Sequence, residues 1–253
     1  MKTVATYNIK GGVGKTTTAV NLAYLAARDG HRTLLWDLDP QGAATYMFRI
    51  KARVKGGGKD LVRGRRPLHD SIKGTDYDDL DLLPADFTYR NMDLALDATK
   101  NSTQRIARLL KPLSADYDLV FLDCPPSMSL VSENVLQASD TILVPLIPTT
   151  LSVRTFEQLT DFIASLPGRR PTVLGFFSMV DRRKRLHRDI VEHVSARRSD
   201  IATTTIPALS VIEQMALRRQ PLPAYAARSQ AAQRYERLWA QTQQVSQWQP
   251  GLR

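Results

Sequence analysis

The chain has 253 residues and a formal net charge of +10, and it is long enough for one large α/β domain with a full core. A single cysteine, Cys124, excludes an intrachain disulfide and any metal cluster that needs two thiolates from one chain, and it fits a reducing cytoplasm. No apolar run approaches the ~20 residues of a membrane span, and a strand-like start from Lys2 leaves no signal peptide to be expected.

Thr3–Asn8 reads as the first strand and Thr16–Arg28 as the first helix. Residues 10–17 between them are Lys-Gly-Gly-Val-Gly-Lys-Thr-Thr. A strand feeding a glycine-rich turn and then a helix makes a phosphate cradle. The N–H groups of Gly11, Gly12, Val13 and Gly14 face phosphate oxygens, and the helix adds its positive end. Lys15 is expected to reach the β- and γ-phosphates, the Thr16 hydroxyl to sit on Mg2+, and Thr17 to complete the loop. The first glycine of the ordinary pattern would fall on Ile9, and a second lysine, Lys10, stands beside it.

Thr33–Asp37 is the second strand, and Leu38-Asp39-Pro40-Gln41 follows it. Acids at the carboxyl end of a parallel strand face the ligand crevice, where Asp39 is placed to orient an attacking water. The bland alternative is that Asp37 and Asp39 cap a turn before Pro40. Residues 49–66 hold eight basic side chains against Asp60, include Gly56-Gly57-Gly58 and lack apolar periodicity; they read as a mobile basic loop inserted in the domain.

Leu80–Leu83 is a short strand, and Ser102–Leu113 a helix with Ser102 at its N-cap. Leu119–Asp123 is an apolar strand whose tip holds Asp123, able to take up Mg2+ directly or through water. Pro125 and Pro126 behind it stiffen a loop that must respond to the γ-phosphate, and Cys124 reads as a small buried filler. Then come helix Leu130–Ala138, strand Ile142–Leu146, helix Ser152–Ser165, strand Thr172–Met179, a helix over Lys184–Arg197, strand Ile201–Ile206, and helices near Ser210–Arg218 and Ser229–Val245. Residues 241–253 read as a polar tail. The alternation predicts a single α/β domain over 1–253, a mostly parallel, doubly wound sheet covered on both faces.

Residues 169–198 hold nine basic side chains against three acids. The two basic stretches, +7 and +6, outweigh the charge of the whole chain, so the remainder is net acidic. Arg182, Arg185 and Arg188 recur every three residues on the predicted helix, with Arg183 beside them. Such a stripe can lie along phosphates without reading bases; the alternative is a solvated face.

Lys10–Thr17, Asp37-Leu38-Asp39-Pro40-Gln41, Leu82-Leu83-Pro84-Ala85, Asp123-Cys124-Pro125-Pro126-Ser127, Val144-Pro145-Leu146-Ile147-Pro148-Thr149 and Pro223-Ala224-Tyr225 together resemble the ParA/MinD superfamily of deviant Walker A ATPases. The chain is most similar to its short, Soj-like ParA branch. The resemblance implies a P-loop NTPase fold with ATP and Mg2+, and an ATP-bound homodimer in which Lys10 reaches the partner's nucleotide. It ties Asp39 to hydrolysis and gives Asp37 a supporting role for Mg2+ and the P-loop. The adenine is implied to lie near the 178–182 and 207–210 turns. It further implies non-specific, nucleoid DNA binding through basic residues of the C-terminal third. A ParB-like or small adaptor protein would stimulate hydrolysis, and the cycle would segregate or position a plasmid, a chromosome locus, a carboxysome or a chemotaxis cluster. One departure stands out: residues 206–211 lack the arginines many relatives carry there, and Arg218 and Arg219 are the nearest substitutes. Alternatives on the same fold are a MinD-like membrane-associated ATPase and an ATP-dependent small-molecule ligase. The glutamine-rich segment beyond Trp239 gives no basic amphipathic anchor, so membrane attachment is not expected.

Overall fold

The computed structural model describes residues 1–99 and 102–247. Its strands are β1 (Lys2–Thr6), β2 (Thr33–Asp37), β3 (Lys73–Gly74), β4 (Leu80–Leu83), β5 (Leu119–Asp123), β6 (Thr141–Leu146) and β7 (Thr172–Phe177). They form one sheet in the order β3-β4-β2-β5-β1-β6-β7. Every pairing is parallel except β3 with β4 at one edge. β2, β5 and β6 are buried along their whole length, as strands covered on both faces must be.

The helices are α1 (Lys15–Arg28), α2 (Ala43–Met47), α3 (Gly57–Arg63), α4 (Met92–Asp97), α5 (Arg105–Leu110), α6 (Leu130–Ala138), α7 (Thr150–Ser165), α8 (Arg185–Ser195), α9 (Ser210–Arg218), α10 (Leu222–Ala226) and α11 (Gln230–Val245). Side chains alternate across the sheet and so feed two separate cores. Leu34, Trp36, Val120 and Leu122 pack with α4–α7 on one face. Leu35, Phe121, Leu143 and Phe176 pack with α1 and α11 on the other. The order reverses direction around β1 and β5, and the carboxyl ends of those strands frame the crevice where a ligand binds in such sheets.

Four expectations are corrected. The strand expected over 201–206 is only two isolated bridges, Gly175 to Ile201 and Val180 to Pro207. Between them the chain leaves the sheet, because the Thr204 N–H donates to Gln241 Oε1 (3.1 Å) and Pro207 has no N–H to offer. The helix expected over 102–113 is α5 flanked by 3-10 turns at Ser102–Gln104 and Lys111–Ala115, with Pro112 inside the second. Its cap is not Ser102: Asn134 of α6 accepts from Arg105 N (2.8 Å) and Ile106 N (3.2 Å).

The basic segment 49–66 is not a free loop. Gly56 turns the chain at φ 79°, α3 follows, and Val54, Leu61 and Val62 are buried in the core. The helix expected near Ser229–Val245 is α11, with Thr242 buried, and the part of the expected polar tail beyond residue 247 lies outside the described residues. Among the described residues no helix is long and apolar enough to cross a membrane.

Candidate nucleotide site

The loop between β1 and α1 is held from several sides. Gly12 (φ 70°) and Gly14 (φ 97°) are left-handed, and a Cβ on Gly14 would stand 3.0 Å from Ser178 Oγ, so neither position suits a side chain. The Lys10 N–H donates to Asn8 Oδ1 (2.9 Å), and Asn8 Nδ2 donates to the Pro145 carbonyl (2.8 Å). Val13 is buried beneath the loop. The Lys15 ammonium folds back to donate to the Lys10 carbonyl (2.9 Å). Burial pushes the Lys15 pKa below its ordinary value, and the nearby Asp123, Cys124 and Asp39 oppose that shift.

A cavity of about 400 Å³ opens over this loop. Gly11, Gly12, Gly14, Lys15, Thr16, Thr17 and Asp39 form its polar end. Met179, Ile206, Pro207, Ala208, Leu209 and Met215 form an apolar wall beside it. A cradle of N–H groups and one lysine next to an apolar slot suits a phosphorylated ligand with a planar base. Of the turns expected at the base, residues 178–179 and 207–209 reach the cavity. Met47 of α2 and Ile212, Met215 and Ala216 of α9 also line it. They escaped sequence reasoning because they carry no motif; the only signal is apolar side chains on a short helix.

Asp37 and Asp123 lie outside the cavity lining, fully buried. Asp37 Oδ2 accepts from Thr45 N (2.8 Å) and Thr45 Oγ1 (2.7 Å), and Oδ1 accepts from Asp39 N (3.2 Å). Burial nonetheless pushes its pKa up to about 6, against these hydrogen bonds. Both Asp123 oxygens are buried without a hydrogen-bond partner. Burial raises the Asp123 pKa well above the carboxylate range, and the charge of Asp37 adds to that; Thr16 and Lys15 pull the other way. A buried, unpartnered carboxylate beside a hydroxyl and a phosphate cradle is a hard-oxygen set that fits Mg2+, with the remaining ligands coming from phosphate and water. The described residues contain no cluster of three or more His, Cys, Asp or Glu that could hold a metal ion. Cys124 is buried and its thiol pKa is pushed well up, which suits a filler and not a nucleophile.

Asp39 is half-exposed at the cavity, its Oδ1 accepting from Gln41 N (2.9 Å). The loop after β5 is tied to β1 by the Tyr7 hydroxyl, which donates to the Ser127 carbonyl (2.9 Å). Asn21 ties α1 to the C-terminal helices. Its Nδ2 donates to the Thr17 carbonyl (2.8 Å) and touches Met215 Sδ (3.3 Å), and its Oδ1 accepts from Leu222 N (2.8 Å). Lys10 does not line the cavity; its Nζ lies 3.5 Å from Ser152 Oγ of α7.

The predicted arginines are scattered away from the cavity. The expected helical stripe is corrected: α8 begins at Arg185, so Arg182 and Arg183 sit in the turn before it. Several of these charges already have partners. Arg183 pairs with Asp181 (3.1 Å), holding that carboxyl down to about 2, and Arg185 pairs with Asp189 (3.5 Å). Arg188 Nη1 donates to the Arg182 carbonyl (2.7 Å). Arg218 lies over the Tyr225 ring (5.0 Å). Arg219 stacks on Tyr46 (4.4 Å) while its Nε donates to the Tyr46 carbonyl (2.9 Å).

A family model described as an AAA domain matches residues 1–173. The sporulation initiation inhibitor protein Soj of Bacillus subtilis (strain 168) is 33% identical over 240 residues, covering 92% of this chain and 95% of Soj. Among solved structures, cobyrinic acid a,c-diamide synthase from Mycobacterium smegmatis, with bound ATP analog and magnesium, is 27% identical with a TM-score of 0.75 over 86% of this chain and 91% of that one. A plasmid partition protein of Borrelia burgdorferi B31 bound to AMPPNP shares the fold at a TM-score of 0.84 and 22% identity, over 96% of this chain and 98% of that one.

Proposed function

The chain belongs to the ParA/Soj family of partition ATPases, and from that premise we propose that it binds ATP with Mg2+ in the crevice at the head of α1, dimerises in that state, and holds DNA non-specifically until a partner protein stimulates hydrolysis. The cycle would segregate or position a cargo on the nucleoid.

One observation carries the nucleotide part: the Asp123 carboxylate, buried and unpartnered, behind a loop that presents Lys15 and Thr16. Lys15 and the loop N–H groups hold the phosphates, while Thr16 and Asp123 would hold Mg2+. When bound there, the ion would supply positive charge to the phosphate oxygens. Asp39 accepts a hydrogen bond from a water and aims it, and Asp37 fixes the Asp39 backbone through the bond at 3.2 Å. Lys10 lies outside its own cavity, beside α7, which supports a role toward a second protomer. Among the described residues no arginine lines the cavity, and those at Arg182–Arg188 and Arg218–Arg219 all lie outside it, which suits slow intrinsic turnover raised by a partner.

The test is light scattering with Mg2+ and a non-hydrolysable ATP analogue, followed by a gel shift on random duplex DNA with ATP, ADP and no nucleotide. The reading expects dimers and a shift that weakens with salt only when triphosphate is bound. Monomers under saturating analogue would reject it. The 27% likeness to cobyrinic acid a,c-diamide synthase favours a second reading, an ATP-dependent ligase. That reading expects ATP turnover only when a small carboxylic acid is supplied.

A further inference from the structure

The basic segment around α3 has no part in the nucleotide site. It lines an open groove of about 1100 Å³ at the β3 edge of the sheet. Five cations face it: Lys51, Arg53, Lys55, Arg66 and Lys73. All five are exposed, and among the described residues none is in an ion pair. Two acids share the groove. Asp70 is exposed, whereas Asp86 is buried and spent on Val54 N (2.8 Å), Thr88 N (2.9 Å) and Thr88 Oγ1 (2.6 Å); Arg53 helps hold its carboxyl below the usual range. The net positive charge is therefore free to act outward, unlike that of Arg183, Arg185 and Arg219, which have partners.

The lining also says what kind of polyanion fits. Among the described residues, the apolar lining is confined to Ile50 and the buried Val54, and no aromatic ring lines the groove. A docked protein segment needs apolar anchors, and single-stranded nucleic acid needs stacking platforms. Neither is present. Cations spread over glycine backbone and hydroxyls suit a regular row of phosphates.

We propose that this groove is a second duplex-binding surface, taking the sugar–phosphate backbone of duplex DNA at the sheet edge opposite Arg182–Arg188. The inference rests on the nucleic-acid reading above and adds a location to it. β3 and β7 are the two outer strands of a seven-stranded sheet. At ~4.8 Å per strand they stand roughly 29 Å apart, so one protomer carries two faces for separate duplex segments and can bridge them.

Two measurements on the full chain test it. Random duplex should slow acetylation of Lys51, Lys55 and Lys73 several-fold, while Lys111, exposed in the turn after α5, serves as the unprotected control. Lys51→Glu/Lys55→Glu/Lys73→Glu changes only exposed side chains and should flatten the dependence of log K on log salt by up to ~2.7, at ~0.9 for each phosphate no longer neutralised. A retained gel shift with those lysines acetylated at the free rate would overturn the groove assignment alone, as would an unchanged salt slope in the triple variant. Protection by polyglutamate but not by duplex would also overturn it, assigning the groove to an acidic protein segment. No gel shift in any nucleotide state would overturn the nucleic-acid reading and this inference together.

Discussion

Asp37 and Asp123 stand opposite one another as register partners at the last residues of β2 and β5. One is satisfied by three donors; the other has none. Two neighbouring strands thus present one carboxylate for holding the loop and one for receiving a cation. The asymmetry follows from what comes next in the chain: Thr45 of α2 turns back onto Asp37, while the Pro125-Pro126 loop leads away from Asp123.

The Asp123 carboxyl has its pKa raised in the fold, so the folded state holds its proton more tightly than the unfolded chain does. The charged form therefore costs stability at neutral pH, and that cost fades as pH falls and the proton goes on. Asp123→Asn should raise the melting temperature of the nucleotide-free protein at pH 7.5, by less at pH 5. The same variant should lose the extra stabilisation that Mg2+ adds to ATP. Thermal denaturation at both pH values, with and without Mg·ATP, checks both signs.

Asp39→Ala should keep ATP affinity and dimers while lowering turnover about 100-fold or more, since it removes only the group that aims water. Lys15→Ala should abolish ATP binding by calorimetry. Wild-type turnover in the first variant or wild-type affinity in the second would contradict the roles given.

Lys10→Ala should leave the monomer's affinity for ADP near wild type, because the side chain faces Ser152 and not its own cavity. Its effect should appear in the triphosphate-dependent dimer, seen by light scattering. Equal loss of ADP binding would place Lys10 in its own site.

Arg219 and Arg182 should behave differently although both are exposed or half-exposed C-terminal arginines. Arg219→Ala removes a cation–π interaction and a hydrogen bond to Tyr46, and should cost about 1 kcal/mol of stability with little change in DNA affinity. Arg182→Ala removes an exposed side chain that is in no ion pair among the described residues, and should leave stability nearly unchanged and flatten the salt dependence of DNA binding. Urea unfolding and gel shifts at two salt concentrations separate the two.

The phosphate end of the site was legible in the sequence because its geometry is backbone geometry. Gly12 and Gly14 must be glycine, and Asp37 and Asp123 must end apolar strands. At the apolar end the resemblance pointed to the 178–182 and 207–210 turns, but Met47, Ile206, Ile212 and Met215 were not legible, since they are ordinary apolar residues brought together by the packing of α9 against α1 and α2. The segment over 201–206 has strand-like composition, yet a distant glutamine, Gln241, takes the Thr204 amide out of the ladder. The segment over 49–66 hid its structure behind charge, because few apolar side chains, Val54, Leu61 and Val62 in one core and Ile50 against the other, anchor it.

The amide of Asn21 leaves no slack between the first turn of α1 and the start of α10. The Thr17 carbonyl and the Leu222 N–H are thus bonded to one and the same side chain. Deuterium exchange at the Leu222 amide, with and without Mg·ATP, would read whether filling the crevice reaches that side chain.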